Sequence, residues 1–531
     1  MSKISDYLNE HLLGEVSASE NIKRNFSQDE SILQIAPEMV VFPKVTNDVR
    51  KVARFAWQLA EKNRKASLTA RGEGYGVSGA AIGKGIVVDV STYLNKVLYI
   101  SPKGKDRFVH VQAGASMNAL ESTLASHGLT LHSHPDNRST VGGAIADNGP
   151  SPYDGRYGYI GDRVKKVEVV LASGDIIETG RLSKRETSQK KALPTLEGEI
   201  YRGLDQIIDD NQDLINGLPD IQMAGYNGIK YVRAKDGSMD LTPLLVSSQG
   251  TLGIITEAVL DVDFITIEDA VAVMAFPTKE AAYDALEAIY QFAPARLEYL
   301  DGDLFKTAKL QGKDYGLFDI QNTEAVVYAS FDDSSERSKQ KKLKKLMKMM
   351  EKHFAEVTLS TSIDHTLDTL RAIADIWSVL SLPTGKTETN PDLLSGSILP
   401  VEGREEFIKE LQNIGNKLSI NLPISVDWLS GRANILTSLK LSVVSDRQKA
   451  FKLIKEYTEL ILSQGGIIRP EGRLGAPAYY SQLDQQTIDL YTQIKAVFDP
   501  LSTMNDGVKV PTEIRSLAAI VNPHFTGNPY R

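Results

Sequence analysis

The sequence predicts an α+β protein built from two domains. Three observations carry that reading. A chain of 531 residues is longer than one hydrophobic core organises. Windows with helical apolar spacing alternate with strand-like runs through both halves. The pattern also changes near residue 266, where short strands among glycine-rich loops give way to strands separated by long helices. We therefore expect an N-terminal arm over 1–35, a first domain over 36–265 and a second over 266–495. A tail over 496–531 should fold back onto the first domain.

The elements follow in order. Over 48–63, Val49, Val52, Ala53, Ala56 and Ala60 share one helical face. Two β-like runs, 67–70 and 86–90, flank a glycine-rich loop. A strand is expected over 108–112, and a helix over 116–127 stopped by Gly128. The clearest hairpin signal joins 167–172 to 176–179 through Ser173-Gly174-Asp175, and a further apolar run spans 254–264. In the second half, strands are expected over 270–276, 325–331, 397–401 and 435–444. Helices are expected over 278–292, 334–354, 364–382, 402–417, 446–464 and 484–498. That alternation reads as an antiparallel sheet covered by helices.

Charge and composition narrow the function. Sixty basic against 68 acidic residues leave −8 at pH 7, which argues against nucleic acid as a partner. No apolar run reaches the roughly 18 residues that span a bilayer. The N-terminus has no basic segment followed by an apolar one, so a cytoplasmic location is expected. The absence of cysteine excludes disulfides, a cysteine nucleophile and thiolate-held metal clusters within this chain.

Three segments carry ligand chemistry. Gly74-Tyr-Gly76-Val-Ser-Gly79 has the spacing G-x-G-x-x-G, yet no helix has room to start there, so a dinucleotide-binding βαβ unit does not fit. The loop is either a backbone cradle for phosphate or a ligand-free glycine turn. A second segment, Pro135 to Gly149, carries paired glycines, and a third is Ser248-Gln-Gly-Thr-Leu-Gly-Ile-Ile-Thr256.

Together these segments resemble the FAD-binding domain of the vanillyl-alcohol-oxidase (PCMH) type. More closely, the chain resembles the D-lactate/glycolate dehydrogenase branch of FAD-linked oxidases. That branch reads approximately R-G-x-G-T-S-x-S-G, P-x-x-x-x-T-x-G-G and G-S-E-G-T-L-G-I. Arg71-Gly-Glu-Gly-Tyr-Gly-Val-Ser-Gly79, Pro135 to Gly143 and Ser247-Ser-Gln-Gly-Thr-Leu-Gly253 match these. The likeness continues in 25–31, Ala224-Gly-Tyr-Asn227 and Asp499-Pro500, with Asn505-Asp-Gly507 and Lys509 beyond.

The resemblance implies a PCMH-type domain of two α/β subdomains, followed by an antiparallel-sheet cap. It implies that Arg71, Gly72, Glu73, Gly74, Tyr75, Gly76, Ser78 and Gly79 hold the FAD pyrophosphate. Pro135, Thr140, Gly142, Gly143, Asn148, Gly149 and Ile254 would line the flavin and adenine ends, and Asn505 would approach from the tail. Glycines suit this task because the backbone can approach two negative charges closely. Some relatives attach flavin through a histidine in the first loop; none stands here, so FAD should be held non-covalently. His132 and His134, near the second loop, read as turn residues.

The likeness weakens in the cap. Metal-dependent relatives carry H-x-G-D-G-N-x-H and a later E-H-G. The corresponding Leu429-Ser-Gly-Arg-Ala-Asn-Ile-Leu436 puts leucine at both histidine positions, and Glu471-Gly-Arg473 keeps only the carboxylate. No metal is therefore expected. The relatives' carboxylate-binding arginine falls at Leu380 and their lysine at Leu394, with Lys386 an alternative. The remaining catalytic candidates are Glu471 as base, Arg432 and Arg473 as an anion clamp or a structural network around Glu471, and Asn434. Tyr226 and Tyr479 are possible donors.

The helix over 335–354 carries Leu343, Leu346, Met347, Met350 and Phe354 on one face and a lysine-rich opposite face. It either lies on anionic lipid as a weak peripheral contact or packs its apolar stripe inward. The leading expectation is FAD-dependent oxidation of an alcohol-type carbon in a small polar metabolite. Electrons would pass to a quinone, a cytochrome, oxygen or a partner protein. A catalytically degenerate flavoprotein and a redox-neutral flavin-dependent transferase are the alternatives.

Overall fold

Two units make up the fold in the computed structural model, which describes residues 2–102, 104, 106–133, 138–221, 223–265, 270–333, 335–354, 356–381, 389–469 and 472–525. The first unit comprises Met1–Ser151, Tyr159–Phe264 and Pro470–Asn522. The second comprises Pro152–Gly158, Ile265–Arg469 and Pro523–Arg531. The division differs from the expected boundaries in three places. The arm belongs to the first unit, the return to that unit starts at 470 rather than 496, and 152–158 belongs with the second.

Long-range pairing explains the first two differences. Asp48, fully buried at the start of the helix Thr46–Glu61, accepts the backbone N–H groups of Leu13, Gly14 and Lys44 at 2.9, 3.0 and 3.0 Å. This anchors the arm, whose Leu8, Leu12, Ile32 and Leu33 are buried. The returning chain lies beside Leu33 and Leu68 through Val521 and Met504. Lys495, on the helix Gln485–Phe498, donates to Thr251 O at 2.6 Å and Met504 O at 2.9 Å. A helix expected in the second domain is thereby fixed in the first unit.

The first unit holds two larger sheets. One runs Glu15–Ser17, Met39–Phe42, Ile86–Asp89 and Leu68–Arg71, with Ile86–Asp89 parallel to the strands on both sides of it. The other is antiparallel, in the order Val97–Ser101, Phe108–Gln112, Ile254–Asp261, Val164–Val170 and Ile176–Glu178. Its last two strands are the hairpin read from Ser173-Gly174-Asp175.

The second unit is built on a seven-stranded antiparallel sheet. Its order is Thr358–Thr361, Ala270–Phe276, Ala325–Phe331, Arg296–Asp301, Ile424–Asp427, Arg432–Ile435 and Ser397–Ile398. Three of these strands, 296–301, 358–361 and 424–427, were not expected. Conversely, the run expected as a strand over 435–444 contributes only its first residue. Val443 and Val444 are 45% and 59% exposed, so that β-branched stretch has no core to enter, and a helix starts at Val444. The basic helix Glu336–His353 buries Leu343, Leu346 and Met350 completely and packs on strand Ala270–Phe276. Its apolar stripe is part of the core of its own unit.

Candidate cofactor and substrate sites

The glycine loop joins two parallel strands, Leu68–Arg71 and Ile86–Asp89, without an intervening helix. It is anchored by its carbonyls. Gly76 O accepts from Glu30 N at 3.0 Å, and Ser78 O accepts from Arg473 N at 2.8 Å and Leu474 N at 3.0 Å. Among the described residues, no backbone N–H from Gly72 to Gly79 donates to a protein group. A run of amides left without acceptors in a fixed loop is an anion-binding surface. The residues present thus fit a pyrophosphate.

The glycines divide by what faces them. A Cβ on Gly72 would lie 2.2 Å from Thr140 Oγ1, and one on Gly74 (φ +81) 2.2 Å from Arg71 Nη2. Those two glycines let the loop settle on the protein. A Cβ on Gly76 would meet only Asp147 Oδ2, at 3.6 Å, so it faces open space. Arg71 is buried under the loop, donating to Ala81 O at 3.3 Å and lying over Phe26. Burial lowers its pKa, against the pull of Asp29, Asp89 and Glu73. Burial also raises the Asp29 and Glu73 carboxyls. Tyr75 lies under the Arg138 guanidinium, 4.6 Å from its ring centre.

Thr140 Oγ1 caps the short helix Val141–Asp147 by accepting from Gly143 N. Gly142 packs against Ala113, and Asn148 (φ 45) ends the helix with its Oδ1 accepting from Gly161 N at 2.9 Å. Gly149 follows this turn, and Ile254 is buried at the start of its strand. His134 and Pro135 lie outside the described residues. Gln249 was not singled out from the sequence, yet it connects the segments. Its Nε2 donates to Asp147 Oδ1 at 3.1 Å and reaches Ser78 Oγ at 3.4 Å, while its Oε1 accepts from Gly472 N at 3.0 Å. Asn505 has its side-chain amide engaged by Thr69, Ala80 and Gln249, so the structure shows it positioning the loops. Tyr226 is buried with its hydroxyl 2.7 Å from Thr251 Oγ1, and Tyr479 is buried a few residues before the helix Gln485–Phe498.

Of the four catalytic candidates, the structure describes Arg432, Asn434 and Arg473. Glu471 and Lys386 lie outside the described residues. Arg473 belongs to the first unit, where Nε and Nη2 donate to Ile82 O at 3.4 and 3.2 Å. Arg432 belongs to the second unit and donates through Nη2 to Glu298 Oε1 at 2.9 Å. Arg296 meets the same oxygen through Nε at 3.1 Å. The partner that the structure gives Arg432 within its own unit is therefore Glu298.

Arg296 and Glu298 were missed. Their signal was available in Arg296-Leu-Glu-Tyr-Leu-Asp301, where the first three alternations of charged and apolar residues mark a strand with one charged face. Burial opposes the charge on Arg296, but Glu298, Tyr328 and Tyr153 together outweigh it and raise the pKa. Asp427 is buried on the neighbouring strand, and burial raises its pKa. Asn434 lies on the same face as Ser425, with no side-chain hydrogen bond among the described residues. At the positions where metal-dependent relatives place imidazoles stand Leu429 and the buried Leu436. Hydrocarbon side chains flanking a guanidinium do not fit a divalent cation. Among the described residues, no group of three His, Asp or Glu is placed to hold one.

Residues 37–180 match the family model for the FAD binding domain, and residues 267–508 match that for the C-terminal domain of FAD linked oxidases. The chain belongs to the FAD-linked oxidases. It is 25% identical over 543 residues to a D-2-hydroxyglutarate dehydrogenase of Pantoea ananatis, covering 97% of this chain and 52% of that protein. The chain thus spans about half the length of that relative. It is also 25% identical over 518 residues to a D-lactate dehydrogenase of Anaerostipes hadrus, covering 93% and 94% of the two chains. Among solved structures, 4-ethylphenol oxidase from Gulosibacter chungangensis matches with a TM-score of 0.67 at 14% identity, over 97% of this chain and 98% of that one. That likeness shows the PCMH-type fold of this FAD-linked oxidase.

Proposed function

We propose that this FAD-linked oxidase holds FAD non-covalently and oxidises the CH–OH carbon of a small 2-hydroxy acid. The observation that carries the reading is the loop Gly72–Gly79, anchored by its carbonyls with its amides left for an anion. The relatives named for D-2-hydroxyglutarate and D-lactate support the substrate class. FAD, when bound, supplies the hydride acceptor. The chain supplies amides for the pyrophosphate, guanidinium groups on the cap sheet for an anionic substrate, and Glu471 as the proposed acceptor of the hydroxyl proton. Electrons then leave to an external quinone, cytochrome, oxygen or partner protein. Among the described residues no helix is long and apolar enough to cross a membrane.

The test is anaerobic mixing of the purified yellow protein with D-lactate, D-2-hydroxyglutarate and glycolate while following flavin absorbance. Bleaching by at least one acid is expected, and denaturation should release FAD into solution. Flavin that stays with the precipitated chain would contradict non-covalent binding. A second reading, a flavoprotein without catalysis, is favoured by the leucines at 429, 436 and 380. Failure of every hydroxy acid to bleach the flavin would select it.

A further inference from the structure

One face of the cap sheet carries a polar band in an otherwise apolar core. Strand registers fix its members. Arg296 stands opposite Ser330, and Glu298 stands opposite both Tyr328 and Asp427. Leu300, two residues on, faces Ser425, which faces Asn434. Alternation then places Arg432 on the same face as Asn434. The band therefore crosses four adjacent strands from Ser330 through Arg296, Glu298 and Asp427 to Arg432.

The charges in this band are unevenly satisfied. One carboxylate oxygen, Glu298 Oε1, serves both Arg296 and Arg432. Asp427 adds charge near Arg432, but its oxygens accept hydrogen bonds from Leu429 N, Ser430 N and Ser430 Oγ. Arg432 Nε and Ser330 Oγ are buried and have no hydrogen-bond partner among the described residues. A guanidinium presents five donors in a planar fork, and leaving a buried charged donor unsatisfied is expensive. A planar two-oxygen anion meets that need better than water or halide.

We propose that this band is an anion subsite in which Arg432 receives the carboxylate of a small organic acid, with Glu298 and Arg296 holding its guanidinium in place. The identity of the acid as a 2-hydroxy acid rests on the proposed function; the subsite itself rests on the second unit alone. Arg432 is the binding residue, and Glu298 is a positioning residue. Lysine at 432 would keep the charge without the fork, so the geometry and the charge can be separated.

The experiment is calorimetric titration of the FAD-loaded protein with oxalate and with oxamide, its neutral planar analogue. Oxalate should bind and oxamide should not. R432Q should weaken oxalate roughly 10- to 100-fold, as expected for loss of a charge-assisted hydrogen bond. R432K should weaken it less, and should serve alone if R432Q does not fold. Oxalate binding to both variants as tightly as to the parent, no oxalate binding to the parent, or equal binding of oxamide would overturn the subsite. Failures are distinguishable. If hydroxy acids bleach the flavin of R432Q with unchanged KM, the oxidase reading stands and the subsite falls. If oxalate binding depends on Arg432 but no hydroxy acid bleaches the flavin, the subsite stands and the oxidase reading falls.

Discussion

Asn505 donates through Nδ2 to the main-chain oxygen of Gln249 at 2.6 Å. The same nitrogen donates to Ala80 O at 2.9 Å, and Oδ1 accepts from Thr69 Oγ1 at 3.2 Å. One buried amide thus joins the returning chain to the end of the glycine loop, the strand before it and the segment that carries Gln249. Replacing it with alanine leaves a hydroxyl and two carbonyls without their partner. We expect N505A to lose roughly 3 kcal/mol, since each buried polar group left unsatisfied costs about 1–3 kcal/mol. Urea unfolding followed by flavin fluorescence measures this, and N505D should be worse at neutral pH because a carboxylate would face two carbonyl oxygens. Unchanged midpoints for both variants would show that this amide holds nothing together.

Gly76 separates the proposed cofactor space from packing. A valine there meets little protein, because the nearest group to a Cβ at this position would be Asp147 Oδ2 at 3.6 Å. G76V should therefore leave the melting temperature of the FAD-free protein unchanged while weakening FAD by tenfold or more, at least about 1.4 kcal/mol. G74A should behave differently, losing stability with or without FAD, because φ is +81 and its Cβ would strike Arg71. Equal FAD affinity in G76V and the parent would place the pyrophosphate elsewhere.

Local features were the legible ones. The helix over 46–61, the hairpin through Ser173-Gly174-Asp175 and the strands 270–276 and 325–331 follow from spacing within a few residues. The helix-free course of the glycine loop between two strands was equally legible, because it depends on residue type rather than on distant partners. The tie between Asn505 and Gln249 spans 256 positions, and no periodicity reports such a pairing. Arg296 and Glu298 were overlooked for another reason. Charged residues in a short run lower its β-propensity, so a strand whose charges pair on a buried face reads as surface. Leu429 and Leu436, by contrast, announced at once that these two positions carry no imidazole.

Glu298 holds two guanidinium groups in a buried setting, itself 4% exposed with Arg296 at 8%. Its removal strands both positive charges. E298A should destabilise the second unit by about 3–5 kcal/mol, the usual consequence of breaking one side of a buried ion pair. E298Q keeps an acceptor oxygen and should lose less. Combining E298L with R296M should recover part of the loss, because an apolar pair of similar volume avoids desolvation. Thermal unfolding resolves these three outcomes; a double variant no better than E298A would mean that the charge on Arg432 alone sets the deficit.

Asp427 gives the cap a pH dependence with a definite sign. Burial, with Glu298 adding to it against Arg432 and the hydrogen bonds from Leu429 and Ser430, raises its pKa above the ordinary 3.8. Between 3.8 and that raised value the folded state keeps a proton that the unfolded chain has released. The contribution to stability is therefore complete below 3.8 and is lost as pH rises through the folded-state pKa. Asn at this position can still accept from Leu429 N and donate to Ser430 Oγ, so D427N preserves the turn while removing the titration. The variant should gain on the parent as pH rises from 3.8 toward neutrality, and fall back relative to it in acid. Comparing urea midpoints of the two proteins across that range cancels the other buried carboxyls. A difference that stays constant with pH would show that Asp427 titrates in the folded protein as it does in the unfolded chain.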